Sequence, residues 1–248
     1  MGAKQRIKHE LNRLLERILH HRLEHVARLP RDPAISLRRL AAAGFQPRQA
    51  ADIGAAQGHW TRDLTAVFPS TQFWLADPLE ENRQALSCLA AENKRVKVWL
   101  GAVGDHCGTL ALHVHADQTS SFVSEWGGEG REVRLATLDS LIEGNELAPP
   151  DLIKLDVQGA ELMVMTGAHR AFAAATVVQV EVSFRHVYEG APLAPDIVAQ
   201  MADMKFRIYD ICDLYKRPVD GALLQADLIF ARQGPWFDPE RWNVRRES

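Results

Sequence analysis

The sequence predicts an α/β fold: a mostly parallel sheet of seven strands that finishes in an antiparallel hairpin, preceded by a helical extension. Three observations carry this. Short apolar runs alternate with helical stretches through most of the 248 residues, the pattern of βαβ units. The run Ala51-Asp52-Ile53-Gly54-Ala55-Ala56-Gln57-Gly58 reads as a strand, a glycine turn and a helix start. The last two apolar runs lie close together around Pro218-Val219-Asp220-Gly221, a turn sequence, so they form a hairpin.

Taken in order, residues 4–28 carry Ile7, Leu11, Leu14, Leu15, Ile18, Leu19, Leu23 and Val26 at three- and four-residue steps, one apolar stripe of an amphipathic helix. Through Arg31 this segment holds eight Lys/Arg against three Glu, so it is locally basic. Such a helix packs on its own domain, on a second subunit or on a membrane surface. Pro30 and Pro33 end it, and a short helix from Ile35 to Ala43 closes at Gly44. Strands are expected near 49–53, 72–76, 96–100, 151–156, 176–183, 206–211 and 225–231, and helices near 58–68, 79–92, 138–143, 160–172 and 192–203. Residues 108–136 break the rhythm as a strand, a glycine-rich loop around Trp126 that is a candidate lid, and a return strand. The organisation is an N-terminal helical extension over 1–46, an α/β domain over 47–234 and a tail over 235–248.

Composition narrows the function. A 46% hydrophobic, 25% charged chain with a formal charge of −3 is an ordinary globular composition without the basic footprint of a nucleic-acid binder. Cys88, Cys107 and Cys212 are odd in number and far apart, with no CxxC pair, which favours a reducing compartment over a disulfide framework. No stretch has the length and apolarity of a membrane span, so a cytoplasmic location is expected.

The glycine turn and Asp77, at the end of the run Phe73-Trp74-Leu75-Ala76-Asp77, point to a nucleoside cofactor. Glycine lets backbone approach a ligand, helix N–H groups favour an anionic tail, and an acid at the next strand tip accepts from ribose hydroxyls. A nicotinamide site normally shows GxGxxG, but here the pattern is Asp52-x-Gly54-x-x-x-Gly58 with Ala56 in place of the middle glycine. Asp52 would repel a diphosphate yet pair with the ammonium of S-adenosylmethionine, so that cofactor is favoured. Gly54, Ala55, Gln57 and Gly58 form its loop, Asp77 its ribose contact, and Ala102 and Val103 border the adenine. The competing readings are a nicotinamide-dependent oxidoreductase and a non-catalytic cofactor-binding module.

A second constellation is Asp151-Leu152-Ile153-Lys154-Leu155-Asp156-Val157-Gln158-Gly159-Ala160-Glu161. Two carboxylates and a lysine at one strand tip need partners or a function. The chain here closely resembles the FkbM family of S-adenosylmethionine-dependent methyltransferases. The resemblance also runs through Ala76-Asp77-Pro78, Ala102-Val-Gly-Asp105, Thr137-Leu-Asp139, Val180-Glu-Val182 and Leu224-Gln-Ala-Asp-Leu-Ile-Phe230, and covers roughly residues 33 to 232. It implies the Rossmann-like class I methyltransferase fold and O-methylation of a hydroxyl or carboxylate on a sugar, glycan or small natural product. Asp77 stands where the family often has Glu, and either acid can hold a ribose.

For catalysis, Asp156 is the first candidate to orient or deprotonate the acceptor, with Lys154 and Glu161 beside it. Glu181, at the end of the next strand, and His186 after it are the other candidates. No metal site is assigned. Asp156 with Glu181, His21 with His25, and His113 with His115 each lack a further ligand.

Overall fold

The computed structural model describes residues 32–114, 120–122, 130–187 and 190–237. The expected amphipathic helix, His21, His25, His115, the loop around Trp126 and most of the tail lie outside the described residues.

The main sheet has seven strands. Five are parallel: β1 (Gln49–Ile53), β2 (Gln72–Asp77), β3 (Val96–Leu100), β8 (Leu152–Leu155) and β9 (Val177–Ser183). The hairpin β10 (Arg207–Lys216) and β11 (Leu223–Ala231) completes it, with β11 antiparallel to both β9 and β10. The spatial order is β10-β11-β9-β8-β1-β2-β3, so strand order reverses between β1 and β8. A crevice outside the carboxyl ends of the strands opens at that reversal.

Period-two alternation gives each strand two faces, and on the inner strands β1, β8 and β9 both are covered. Ala51, Ile153 and Val178 face one core with helices α4 (Leu138–Glu143), α5 (Glu161–Thr166), α6 (His169–Ala174) and α7 (Ala194–Asp203). Ala50, Leu152 and Val177 face the other with α1 (Pro33–Ala42), α2 (His59–Val67) and α3 (Arg83–Glu92). Asp32 caps α1, its carboxylate accepting from the Ala34 N–H at 2.8 Å, so Pro33 begins that helix in the position its fixed φ suits.

Between β3 and β8 the chain builds a second sheet, ordered β4-β7-β5-β6 from β4 (Ala102–Val103), β5 (Gly108–Val114), β6 (Ser120–Phe122) and β7 (Arg131–Ala136). The expected strand and return strand are β5 and β7; β4 and β6 are additions.

Two expectations need correcting. The single helix over 160–172 is two, broken at Gly167 and Ala168. A Cβ on Gly167 would lie 2.1 Å from the Gly104 carbonyl oxygen, so backbone passes against backbone there. The Asp139 carboxylate then starts α6 afresh by accepting from the Arg170 and Ala171 N–H groups. The strand expected over 206–211 runs on to Lys216, through irregularities in its pairing with β11. Asp213, within one of them, has a φ of +48°.

Candidate active site

Alternation and register bring a row of polar groups into the second core. Asp52 pairs with Lys154 across β1 and β8, and Lys154 with Gln179 across β8 and β9. All three are buried on the face of Ala50, Leu152 and Val177. Buried polar groups must find partners, and α2 supplies two. Thr61 Oγ1 donates to Asp52 Oδ2, and Trp60 Nε1 donates to Gln179 Oε1, each at 2.8 Å.

Lys154 is the hub. Its Nζ donates to Asp156 Oδ2 at 3.2 Å and to the Gly54 carbonyl at 3.3 Å, and lies 3.5 Å from Asp52 Oδ1. Burial works against its charge, but Asp156 and Asp52 more than offset that and push it up. It is an ammonium, and it ties the β1 loop to the β8 tip rather than taking a proton. Asp52 has no exposure, and burial pushes its carboxyl up against the hold of Lys154 and Thr61. The side chain expected at the cofactor's ammonium therefore lies inside the fold, below the loop.

The glycine turn is held from both sides. Gly54 and Ala55 donate to the Ala76 carbonyl at 2.9 and 3.0 Å, and the Asp156 N–H donates to Ile53. Gly54 has a φ of +78°, and a Cβ on it would stand 1.8 Å from the Asp156 carbonyl oxygen. Only glycine fits where the β1 and β8 turns touch. At the tip of β2, Asp77 Oδ2 accepts from the Ala56 N–H at 2.8 Å, while Oδ1 accepts from Leu79 N and Asn82 Nδ2 at 2.9 and 2.8 Å. Three of a carboxylate's roughly four acceptor positions are thus filled, leaving one on Oδ2. Burial pushes Asp77 up despite these bonds.

These pieces surround a cleft. Gly54 and Ala56 border it from the turn, and Asp77, Pro78 and Asn82 from the end of β2. Ala102, Val103, Leu110 and Leu112, all from the second sheet, form an apolar wall, and Asp156 and Gln158 complete the lining. Small residues at the turn, an apolar slot and a buried strand-tip acid fit a nucleoside with an amino-acid tail. Of the expected loop residues, Gly54 reaches the cleft, whereas Ala55 is packed in the core and Gln57 and Gly58 do not line it.

Beyond Gln158 lies a second cavity, open to solvent and lined by Glu181, Asp213, Tyr215, Gln225 and Asp227. Gln158 Nε2 donates to Asp156 Oδ1 at 2.8 Å and to Glu181 Oε2 at 3.2 Å, and Gln225 Nε2 donates to Glu181 Oε2 at 2.8 Å. Glu181 and Asp227 are cross-strand partners in the β9–β11 register. Burial and Asp156 push Glu181 up to about 8; burial likewise pushes Asp227 up to about 6, against a hydrogen bond from Gln179. Among the described residues, no group of three or more His, Cys, Asp or Glu is placed to hold a metal ion.

Glu161 is turned away from both spaces. Its Oε1 accepts from the Val157 and Gly159 N–H groups at 3.3 and 3.2 Å, which braces the turn after β8. His186 is exposed in the loop after β9 and lines neither space. Asn82, Gln158, Gln225 and Asp227 were not singled out from sequence. For Asp227 a signal existed: a lone acid inside the apolar run Leu223–Ala231.

The profile of the methyltransferase FkbM domain matches residues 52–208, more than half of the chain. A methyltransferase FkbM from Methylobacillus flagellatus KT is 18% identical, over 73% of this chain and 43% of that one, with a TM-score of 0.47. This chain therefore spans less than half the length of that protein. Magnesium protoporphyrin IX methyltransferase from Synechocystis PCC 6803, solved with bound S-adenosylmethionine, is 12% identical over 81% of this chain and 77% of that one, with a TM-score of 0.47. A 1,6-didemethyltoxoflavin-N1-methyltransferase from Burkholderia thailandensis, solved with that compound and S-adenosylhomocysteine, is 13% identical over 94% and 92%, with a TM-score of 0.43. No curated protein matches the sequence.

Proposed function

Because this chain belongs to the FkbM family of methyltransferases, we propose that it moves the methyl group of S-adenosylmethionine onto an oxygen of a sugar, glycan or small natural product. The observation that carries the cofactor assignment is the cleft itself: the Gly54 turn, the open acceptor position of Asp77 and the apolar wall of Val103, Leu110 and Leu112 meet around one space. When bound there, the cofactor supplies an activated methyl on a positively charged sulfur. Asp77 Oδ2 accepts from a ribose hydroxyl with Asn82 beside it, and the Gly54 turn presents backbone to the amino-acid tail. Asp156, pinned by Lys154 and Gln158, orients the acceptor oxygen at the carboxyl edge of β8. The nicotinamide reading has less support, because Ala56 still stands where that pattern wants its middle glycine. A cytoplasmic setting belongs to the same reading: all three cysteines are free, and no described helix is long and apolar enough to cross a membrane.

The test is thermal. S-Adenosylhomocysteine at millimolar concentration is expected to raise the Tm, and Asp77→Ala to remove that rise. An unchanged Tm in the unmodified protein would count against the reading. Tritium from methyl-labelled cofactor should then pass to an acceptor in a cell extract. Alkali-stable label marks a methyl ether, alkali-labile label a methyl ester, and no transfer a binding module without activity.

A further inference from the structure

The cleft and the second cavity meet at one side chain. Gln158 lines the cleft, and its amide reaches both Asp156 and Glu181. Its backbone sits at a φ of +54°, an unusual conformation for a residue with a side chain, and that conformation accompanies the amide's position between the two carboxylates. Glu181 is held on its other side by Gln225, so its bonded partners are neutral amides. Its charged surroundings come from four elements: Asp156 and Lys154 of β8 and its tip, Asp227 of β11, Glu161 of α5, and Asp213 of β10, which lines the same cavity. The lone ammonium in that set is committed to Asp52 and Asp156. Among the described residues, Glu181 is therefore a carboxyl with no cation of its own. Burial, with Asp156 and Asp227, keeps its proton on near neutrality.

Resting on the reading that the cleft takes S-adenosylmethionine, we propose that Glu181 is the proton acceptor for a methyl-accepting hydroxyl, and that the positive charge of the bound cofactor is what releases its resting proton. A cation placed beside Asp156 and Gln158 favours the ionised form of Glu181, and the proton leaves through the second cavity. Glu181 then takes the hydroxyl proton as the acceptor oxygen's lone pair forms the new C–O bond and the C–S pair stays on sulfur. Because the positive charge vanishes in that step, the proton affinity of Glu181 rises as the proton arrives. The same arrangement selects the acceptor. A carboxylate brings no proton and meets a wall of Glu181, Asp213 and Asp227, whereas a hydroxyl needs the base and is not repelled.

The test is calorimetric and needs no acceptor. The full chain is titrated near pH 7.5 with S-adenosylmethionine and, separately, with S-adenosylhomocysteine, each in two buffers of different ionisation enthalpy. The sulfonium also makes the α-amino group of S-adenosylmethionine more acidic than that of S-adenosylhomocysteine, so the same titrations are run on Glu181→Gln, and the part of the difference in proton release that the variant removes reports Glu181. If the sulfonium charge lowers Glu181 by about one unit, that part is on the order of 0.5 proton. It should shrink at about pH 6 and about pH 9.5, on either side of the Glu181 transition, with both ligands still bound by the variant. A difference that E181Q leaves whole, or a removed part that is constant with pH, overturns the proposal. Failure of both ligands to bind removes the cofactor reading itself, and the proposal with it.

Discussion

The cleft and the second cavity share a hydrogen bond but are built by opposite means. At the cleft, three strand ends supply mostly backbone: N–H groups of Gly54, Ala55 and Ala56 face β2, and the Gly54 carbonyl faces Lys154. At the second cavity, side chains from β9, β10 and β11 face one another, and carboxylates outnumber their cations. Backbone groups are fixed by the fold and cannot titrate between pH 5 and 8, whereas Glu181 and Asp227 can. One half of the site is therefore a rigid holder, and the other a set of protons whose positions depend on charge nearby.

The sharpest way to break this contrast is to remove what joins the halves. Lys154→Met leaves Asp52 and Asp156 without their cation inside the fold, and should lower unfolding free energy by about 3–5 kcal/mol in a urea titration. A loss under about 1 kcal/mol would show that the ammonium is not what ties the β1 loop to β8. The next largest effect belongs to the holder. Gly54→Ala drives a methyl into the Asp156 carbonyl and should cost on the order of 3 kcal/mol, read in the same way. A near-neutral result would mean that the two turns are free to part.

The gentlest probe addresses the protons alone. Glu181 has a folded-state pKa of about 8, above its unfolded value, so the folded state binds more protons than the unfolded state between about pH 4.5 and 8. Stability from this group is therefore full below that window and falls as pH rises through it. Asp227, at about 6, acts in the same direction over the lower half. The ligand-free protein should lose Tm between about pH 5 and 8, and Glu181→Gln should flatten the upper part of that slope. An equal slope in the variant would place the titration elsewhere.

How far the sequence could be read follows the same division. Strands β1 and β3 end where apolar runs and turn residues place them, because alternation and glycine are local signals. The acid at Asp77 and the block from Lys154 to Glu161 were legible for the same reason. What Asp52 does was less so: as the neighbour of Gly54 it resembles a ligand contact, yet it shares a face with Ala50 and is turned inward onto Lys154. The second cavity was hardest, since Glu181 meets Asp227 through a strand register set 46 residues apart, and Gln158, at a φ of +54°, meets Glu181 from 23 residues away. At Gly167 glycine was a local hint of a helix end, but the approach of the Gly104 carbonyl that leaves no room for a side chain there is tertiary.

The pairing of β4 with β7 reaches further than the site. Ala102 lies opposite Leu135 and Val103 opposite Ala136, so the chain leaves for its excursion and returns at neighbouring points. A segment whose ends already meet can lengthen, shorten or be exchanged at little entropic cost, and the main sheet keeps its register throughout. Leu110 and Leu112 travel with that segment while Gly54 and Asp77 stay behind. Descendants of this fold can thus remodel one wall of the cleft wholesale, as a graft, without touching the turn and acid on which the rest depends.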